Sequence, residues 1–391
     1  MKGVEVKIFS KSVALLALLL LATSLFAAED DAEARGQFEE VLEGINQRSF
    51  PVIQKAMSQA DLTNRILSYH VLDPEVQGMF RASFWQIIED ELMNGLPPAN
   101  SKIEGELINF TFNEGQGIAA VRFAMPGYRY SFHVFELRHD RRGRLQLVDW
   151  FESSKGQKFT EYAGDQLLGL KPTKVTSRKI LTVSSPTDTE LFQVTELLKA
   201  IRDKQAPRFF EIYDQFDERI KREPLIAKKA AMLAYAQRNN DRFRSALEIF
   251  AEVSAEDADL ALLRSDFFLV LEDIERSYAE LKRFQQHFSV KEGALPAKIS
   301  AMALALGNAE EAEQYAVQAT QNEPALELGY WSLLRALAAA ENYAGATEVM
   351  TKLEDNFGHR LDEAKLRRDR YQAFVGLAES QEFKDWRAGR N

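Results

Sequence analysis

From about residue 191 to residue 360 the chain repeats itself with a period near 34 residues. That length accommodates one pair of antiparallel helices, which cannot bury its own apolar face, so the units must stack side by side into a superhelix. The clearest unit runs from Gly293 to Leu326 and carries Gly307-Asn308-Ala309-Glu310-Glu311-Ala312, then Ala319, then Pro324. The next places Glu341-Asn342-Tyr343-Ala344-Gly345-Ala346 at the same phase, with 34 residues from Ala312 to Ala346. Upstream, Asp241-Arg242-Phe243-Arg244-Ser245-Ala246 leads into Phe250 and Val253, and Pro224 precedes Pro324 by one hundred residues. Weaker units phase around Ile212 and Ser277, the latter at spacings of 31 and 35 to its neighbours, which gives about five units.

Two helices approach closely only where one presents a methyl group or a hydrogen, so Ala246, Ala312 and Ala346 mark the expected crossing points. Phe250, Tyr315 and Met350 fill the space beside them, and the prolines, which cannot continue a helix, separate the units. These residues resemble tetratricopeptide repeats. The likeness departs from the family pattern in having a turn glycine only at Gly307 and few first-helix aromatics. It implies an all-α superhelix over residues 191–391 whose binding surface is the concave face lined by first helices. Phasing by the family pattern puts Tyr235, Arg238, Asp266, Trp331 and Arg335 on or near that groove. Trp and Arg are the side chains that most often carry binding energy at interfaces. The lysine and asparagine set with which some relatives clamp a peptide's terminal carboxylate is missing at these positions, which disfavours chaperone-tail recognition. Leu361 to Ala378, with Arg367, Arg368 and Arg370 on its polar side, is expected to form a terminal helix that covers the last unit.

The first half reads differently. Asp73-Pro74 opens a helix whose apolar positions Val76, Met79, Phe80, Phe84, Ile87 and Ile88 recur at three- and four-residue steps, with Gly95 and Pro97-Pro98 as the stop. Phe38, Val41, Leu42 and Ile45 mark an earlier helix, and Val52 to Leu67 a broken one. Four strand-like runs follow, Ile103–Asn113, Ile118–Ala124, Tyr128–His139 and Leu145–Glu152, joined by connections too short for a parallel crossover. The expectation is an α+β domain over residues 29–170, with helices packed on a four-stranded antiparallel sheet. That order resembles the nuclear-transport-factor-like or cystatin-like class, in which a bent sheet wraps a helix. A linker over 171–190, rich in prolines and polar residues, precedes the helical half, and Thr187 with Glu190 has the form of a capping box.

Residues 1–28 read as a signal peptide: Lys2, Lys7 and Lys11 precede a charge-free apolar run from Val13 to Ala28. The run falls short of the roughly 20 residues that span a bilayer, which favours cleavage over the alternative of an uncleaved membrane anchor. The expected location is the periplasm of a bacterial envelope, or outside the cell. Acidic residues outnumber basic ones by 59 to 49 for a net charge of -10, deepening to -12 once the signal is lost, so nucleic acid is a poor partner. The chain has no cysteine and 5 histidines, which excludes thiolate chemistry and leaves little for metals.

No phosphate loop, zinc-protease helix, nucleophile elbow or calcium loop is found. His133 and His139 share a strand but stand about 20 Å apart when extended, so they are expected at solvent or an edge and not on one metal. Asp149 is the one acid embedded in an apolar strand. It could serve as a general base in a pocket lined by Phe110, Phe112, Phe123, Tyr130 and Trp150, or simply meet solvent or Arg129 or Arg138. The expected function is that of an exported, non-catalytic scaffold that binds a protein or peptide partner through the repeat groove, with no cofactor and no metal. The competing expectation is small-molecule or lipid binding in the α+β domain, with isomerase-like catalysis as what the nuclear-transport-factor-like resemblance implies, and with the repeats used for oligomerisation.

Overall fold

The computed structural model describes residues 32–69, 74–95, 104–125, 129–170, 177–178, 180–288, 290–368 and 373–390. The expected signal at 1–28, His70, the Asp73 cap, Pro97-Pro98, the Pro126-Gly127 turn, Lys171 to Lys174 and Arg370 lie outside these residues. Two compact units are distinguished, residues up to 152 with 158–167, and 168–391 with 153–157.

The first unit begins with α1 (residues 32–46), α2 (Phe50–Lys55), α3 (Gln59–Tyr69), α4 (Pro74–Ala82) and α5 (Phe84–Gly95). The single helix expected from Pro74 to Gly95 is interrupted at Ser83, yet the amide of Ser83 still bonds to Met79 and that of Ile87 to Ser83, so the break is a bend within a continuing ladder. The sheet follows as a meander of β1 (Gly105–Asn113), β2 (Gln116–Met125), β3 (Arg129–His139), β4 (Leu145–Glu152) and β5 (Gln157–Lys158) in spatial order one to five. It has five strands where four were expected, because a two-residue strand carries no alternation that a sequence could display. Glu114 and Gly115 take positive φ of 51° and 74° in the two-residue turn between β1 and β2, the conformation that matches the twist of a hairpin. Register shifts at Leu107/Asn109 and at Glu136/Leu137 bend the sheet.

Phe38 of α1 meets Phe110 and Phe135 of the sheet at ring distances of 6.1 and 5.4 Å. Trp150 stacks at 3.8 Å on Phe159, the first residue of α6 (Phe159–Leu170). Each such buried side chain contributes about 1.5–3 kcal/mol.

The second unit is helical. Its hairpins are α7 (Asp188–Arg202) with α8 (Ala206–Tyr213), α9 (Pro224–Ala236) with α10 (Asn240–Val253), and α11 (Ala261–Val270) with α12 (Ile274–His287). Then come α13 (Ala294–Ala305) with α14 (Ala309–Asn322), and α15 (Glu327–Ala339) with α16 (Tyr343–Phe357). The Thr187 side chain and the Glu190 carboxylate cap α7 reciprocally, as expected.

Every hairpin turns in the same way. Lys204, Arg238, Glu272, Gly307 and Glu341 all take left-handed φ between 54° and 81°, and the next residue, Gln205, Asn239, Asp273, Asn308 or Asn342, is the N-cap of the second helix. The amides of these caps reach back to the carbonyls of Ala200, Ala234, Phe268, Ala303 and Leu337 at 2.8–3.3 Å, closing a Schellman motif at each first-helix end. The turn residues are spaced 34, 34, 35 and 34 apart.

This common turn corrects the phase read from the alanines. Five residues past each turn stand Phe209, Phe243, Ser277, Ala312 and Ala346, all buried. Ser277 is therefore in step, with its hydroxyl 3.0 Å from that of Ser265 on the facing helix, whereas Ile212 and Ala246 lie three residues further along. The terminal helix expected over Leu361 to Ala378 is likewise replaced by short helices at Glu363–Leu366 and Val375–Glu379, followed by α17 (Gln381–Ala388). Leu361, Leu366, Phe374 and Leu377 still bury themselves against Tyr330, Leu334, Val349 and Leu353 of the last hairpin.

Candidate interaction surface of the helical array

Tyr235 lies in the last turn of α9, three residues before the left-handed Arg238. Its ring packs on Phe243 and Phe267 at 5.5 Å each, and those two rings meet edge to face at 5.2 Å, joining the second hairpin to the third. Tyr235 nevertheless remains 38% exposed, and Val270 at the end of α11 is 47% exposed. Together with Ala234, Arg238, Asn240 and Phe243 they line an open depression of about 320 Å³. Arg238 is exposed, and no carboxylate pairs with it among the described residues. The neighbouring arginines do have partners: Arg242 meets Asp214 at 2.8 Å and Arg276 meets Glu248 at 2.7 Å.

Asp266 is engaged differently. Its carboxylate accepts from the Lys298 ammonium at 2.6 Å, an ion pair that links α11 to α13, the next first helix. Trp331 and Arg335 form a third cluster. The Trp331 indole donates to Glu327 Oε1 at 2.6 Å, and the same oxygen lies 2.6 Å from His359 Nε2. Lys365 lies 5.7 Å from the Trp331 ring, and the Arg335 guanidinium lies 5.8 Å from the Phe374 ring. Burial pushes the Glu327 carboxyl up, but the bonds from Trp331 and His359 outweigh it and hold the group below the usual carboxylate range.

Of the five residues singled out from the sequence, the structure thus brings Tyr235 and Arg238 together, ties Asp266 to the following hairpin, and places Trp331 and Arg335 against the C-terminal segment. Val270 and Phe243 were missed. Alignment on the asparagine and aspartate caps would have exposed Val270, which stands two residues before its turn residue as Tyr235 stands three before its own.

In the first unit, Asp149 is buried and accepts from the Trp150 amide at 2.9 Å, the Thr160 amide at 3.2 Å and the Thr160 hydroxyl at 2.5 Å. It caps the start of α6, and desolvation raises its carboxyl above the usual range against those three bonds. Its nearest cation is Arg65 at 3.9 Å; Arg138, a partner considered from the sequence, pairs with Asp61 instead. His133 is not at solvent or an edge as expected: it is 2% exposed on the interior strand β3, with its ring 4.9 Å from Phe123. His139 is half-buried on Phe112 at 4.5 Å. The rings proposed to line a pocket pack on one another or on neighbouring rings, with Phe110 on Phe112 at 6.4 Å and Trp150 near Phe135 at 6.0 Å. Among the described residues, no group of three His, Asp or Glu is arranged to hold a metal, and no helix is long and apolar enough to cross a membrane.

No family model matches the chain, and no curated protein matches it closely enough to count as a relative. The chain is similar to a solved structure described as "Crystal structure of PilW, widely conserved type IV pilus biogenesis factor", at 12% identity over 52% of this chain and 93% of that one, with a TM-score of 0.32.

Proposed function

We propose that the chain is an exported, non-catalytic interaction protein whose tetratricopeptide-like array binds a protein or peptide partner along its first helices. The observation that carries this reading is the aromatic-floored depression in which Tyr235 and Val270 stay at the surface over the buried Phe243, between two hairpins. An exposed aromatic beside an arginine with no carboxylate partner among the described residues combines two residue types that often anchor interfaces. The repeated turn geometry supports it further, since stacked identical hairpins make a rigid extended surface on which several modest anchors add. Export to the bacterial envelope rests on the signal-like segment at residues 1–28. The helix-then-meander order of the first unit supports its nuclear-transport-factor-like resemblance, but the mutual packing of its rings and the saturation of Asp149 by α6 favour a structural core over a reacting pocket.

The test places a photoreactive benzoylphenylalanine at Val270 or, as a control, at the exposed Ala279 on α12, followed by irradiation in envelope extract. A discrete adduct at position 270 and none at 279 is the expected result. No adduct at 270, or the same adducts at both positions, overturns the proposal.

A further inference from the structure

We infer that the depression between the second and third hairpins takes a bulky apolar side chain whose neighbour in the partner's chain is an aspartate or glutamate, the carboxylate pairing with Arg238. This deepens the groove reading and rests on it. The floor is apolar and aromatic, formed by Ala234, Tyr235, Phe243 and Val270, and the volume of about 320 Å³ suits a side chain or two of an extended segment. Pockets for small organic ligands run from roughly 300 to 1,000 Å³ and are usually enclosed, so this one stands at the bottom of that range.

The charge at the rim selects the second feature. Arg242 and Arg276, on the helices that flank the site, are neutralised by Asp214 and Glu248, while Arg238 has no carboxylate partner among the described residues. Its backbone is fixed by the Schellman turn, with its amide bonded to the Tyr235 carbonyl at 3.0 Å, so the guanidinium is tethered at the edge of the apolar floor. A carboxylate arriving there gains two parallel charge-assisted hydrogen bonds. The apolar neighbour seated beside it excludes water from that pair and lowers the local dielectric. The Asn240 side chain completes the rim with an amide that can bond the partner's backbone.

The experiment titrates the full chain, carrying 13C-labelled valine methyls, with two blocked peptides, acetyl-Gly-Asp-Phe-Gly-amide and acetyl-Gly-Lys-Phe-Gly-amide. Blocking both ends leaves the side chain as the sole source of a carboxylate. The Val270 methyl shift should saturate with the Asp peptide at about tenfold lower concentration than with the Lys peptide, the effect of one charged hydrogen-bonded pair. Arg238→Gln should bring the two midpoints together while leaving the Val270 methyl responsive to both peptides. Equal midpoints in the wild-type chain, or no saturable shift with either peptide, overturn the inference. If the peptides fail while the photo-adduct at position 270 persists, the groove reading stands without this specificity; if the adduct also fails, both fall.

Discussion

The buried guanidinium of Arg264 meets Glu280 through two parallel hydrogen bonds, Nε to Oε1 at 2.9 Å and Nη2 to Oε2 at 2.7 Å. Its remaining nitrogen donates to the carbonyls of Ser254 and Asp257 at 2.6 and 3.0 Å. One side chain of α11 thereby fastens the irregular segment between the second and third hairpins to α12. Breaking such a pair from one side leaves a buried guanidinium with no countercharge, held only by neutral oxygens of Ser254 and Asp257. Glu280→Ala should lower stability by about 3 kcal/mol. Urea denaturation followed by helical circular dichroism measures it, and a loss near zero would show that the pair is not holding the third hairpin.

The five left-handed turns make a second prediction. Only Gly307 has the residue type for which that conformation carries no steric cost; Lys204, Arg238, Glu272 and Glu341 adopt it against their Cβ atoms. Glu272→Gly and Glu341→Gly should each stabilise the array by about 0.5–1 kcal/mol, and Gly307→Ala should destabilise it by a similar amount. Melting temperatures of the single variants and the double variant give the answer. The two gains should add, since the turns belong to different hairpins.

Those turns also explain how far the sequence could be read. The hairpin count and the 34-residue period were legible because Asn308, Asn342, Ala312 and Ala346 recur visibly. The phase of the earlier units was not, for alanines at i and i+3 both face inward on a helix, and Ala246 mimics the position that Phe243 holds. A glycine would have flagged each turn, but of the four remaining turns two use basic residues, Lys204 and Arg238, and two use acidic ones, Glu272 and Glu341, leaving no common residue to align. The broken C-terminal helix was hidden for a related reason: Leu361, Leu366, Phe374 and Leu377 are buried like a helix face, and of their steps of five, eight and three residues only the first departs from a helical period. At the candidate surface, Tyr235 and Arg238 could be placed because they flank a turn. The Trp331 cluster could not, because His359 lies beyond the end of α16 and only the fold brings it to Glu327 in the first turn of α15.

Asp149 should leave a pH signature. Its folded-state carboxyl is raised by desolvation, so the native state favours the protonated form. The group's contribution is fully favourable below the ordinary carboxyl range and is lost as pH rises through the folded value. The melting temperature of the wild type should therefore gain on that of Asp149→Asn as pH is lowered from 7 toward 4. A difference that stays flat, or runs the other way, contradicts a strained buried carboxylate.

Glu327 should behave in the opposite sense. Its carboxyl is held below the usual range by Trp331 and His359 despite the push from burial. That stabilisation is present above the ordinary carboxyl range and is lost as pH falls through the folded value. Glu327→Gln should be less stable than the wild type at pH 7 and match it at pH 3, with the loss concentrated in the last hairpin. Amide exchange in α16 resolves the location; unchanged protection there at pH 7 would mean that the cluster does not secure the C-terminal segment.

The central claim is that a protein partner is held at the depression between the second and third hairpins. The most direct measurement is the equilibrium affinity of the photo-captured partner for the wild-type chain and for Val270→Asp, with the melting temperature of both recorded. A buried charge in an apolar contact should weaken binding by at least about tenfold, while the exposed position leaves folding unchanged. Equal affinities at equal stability would contradict the account.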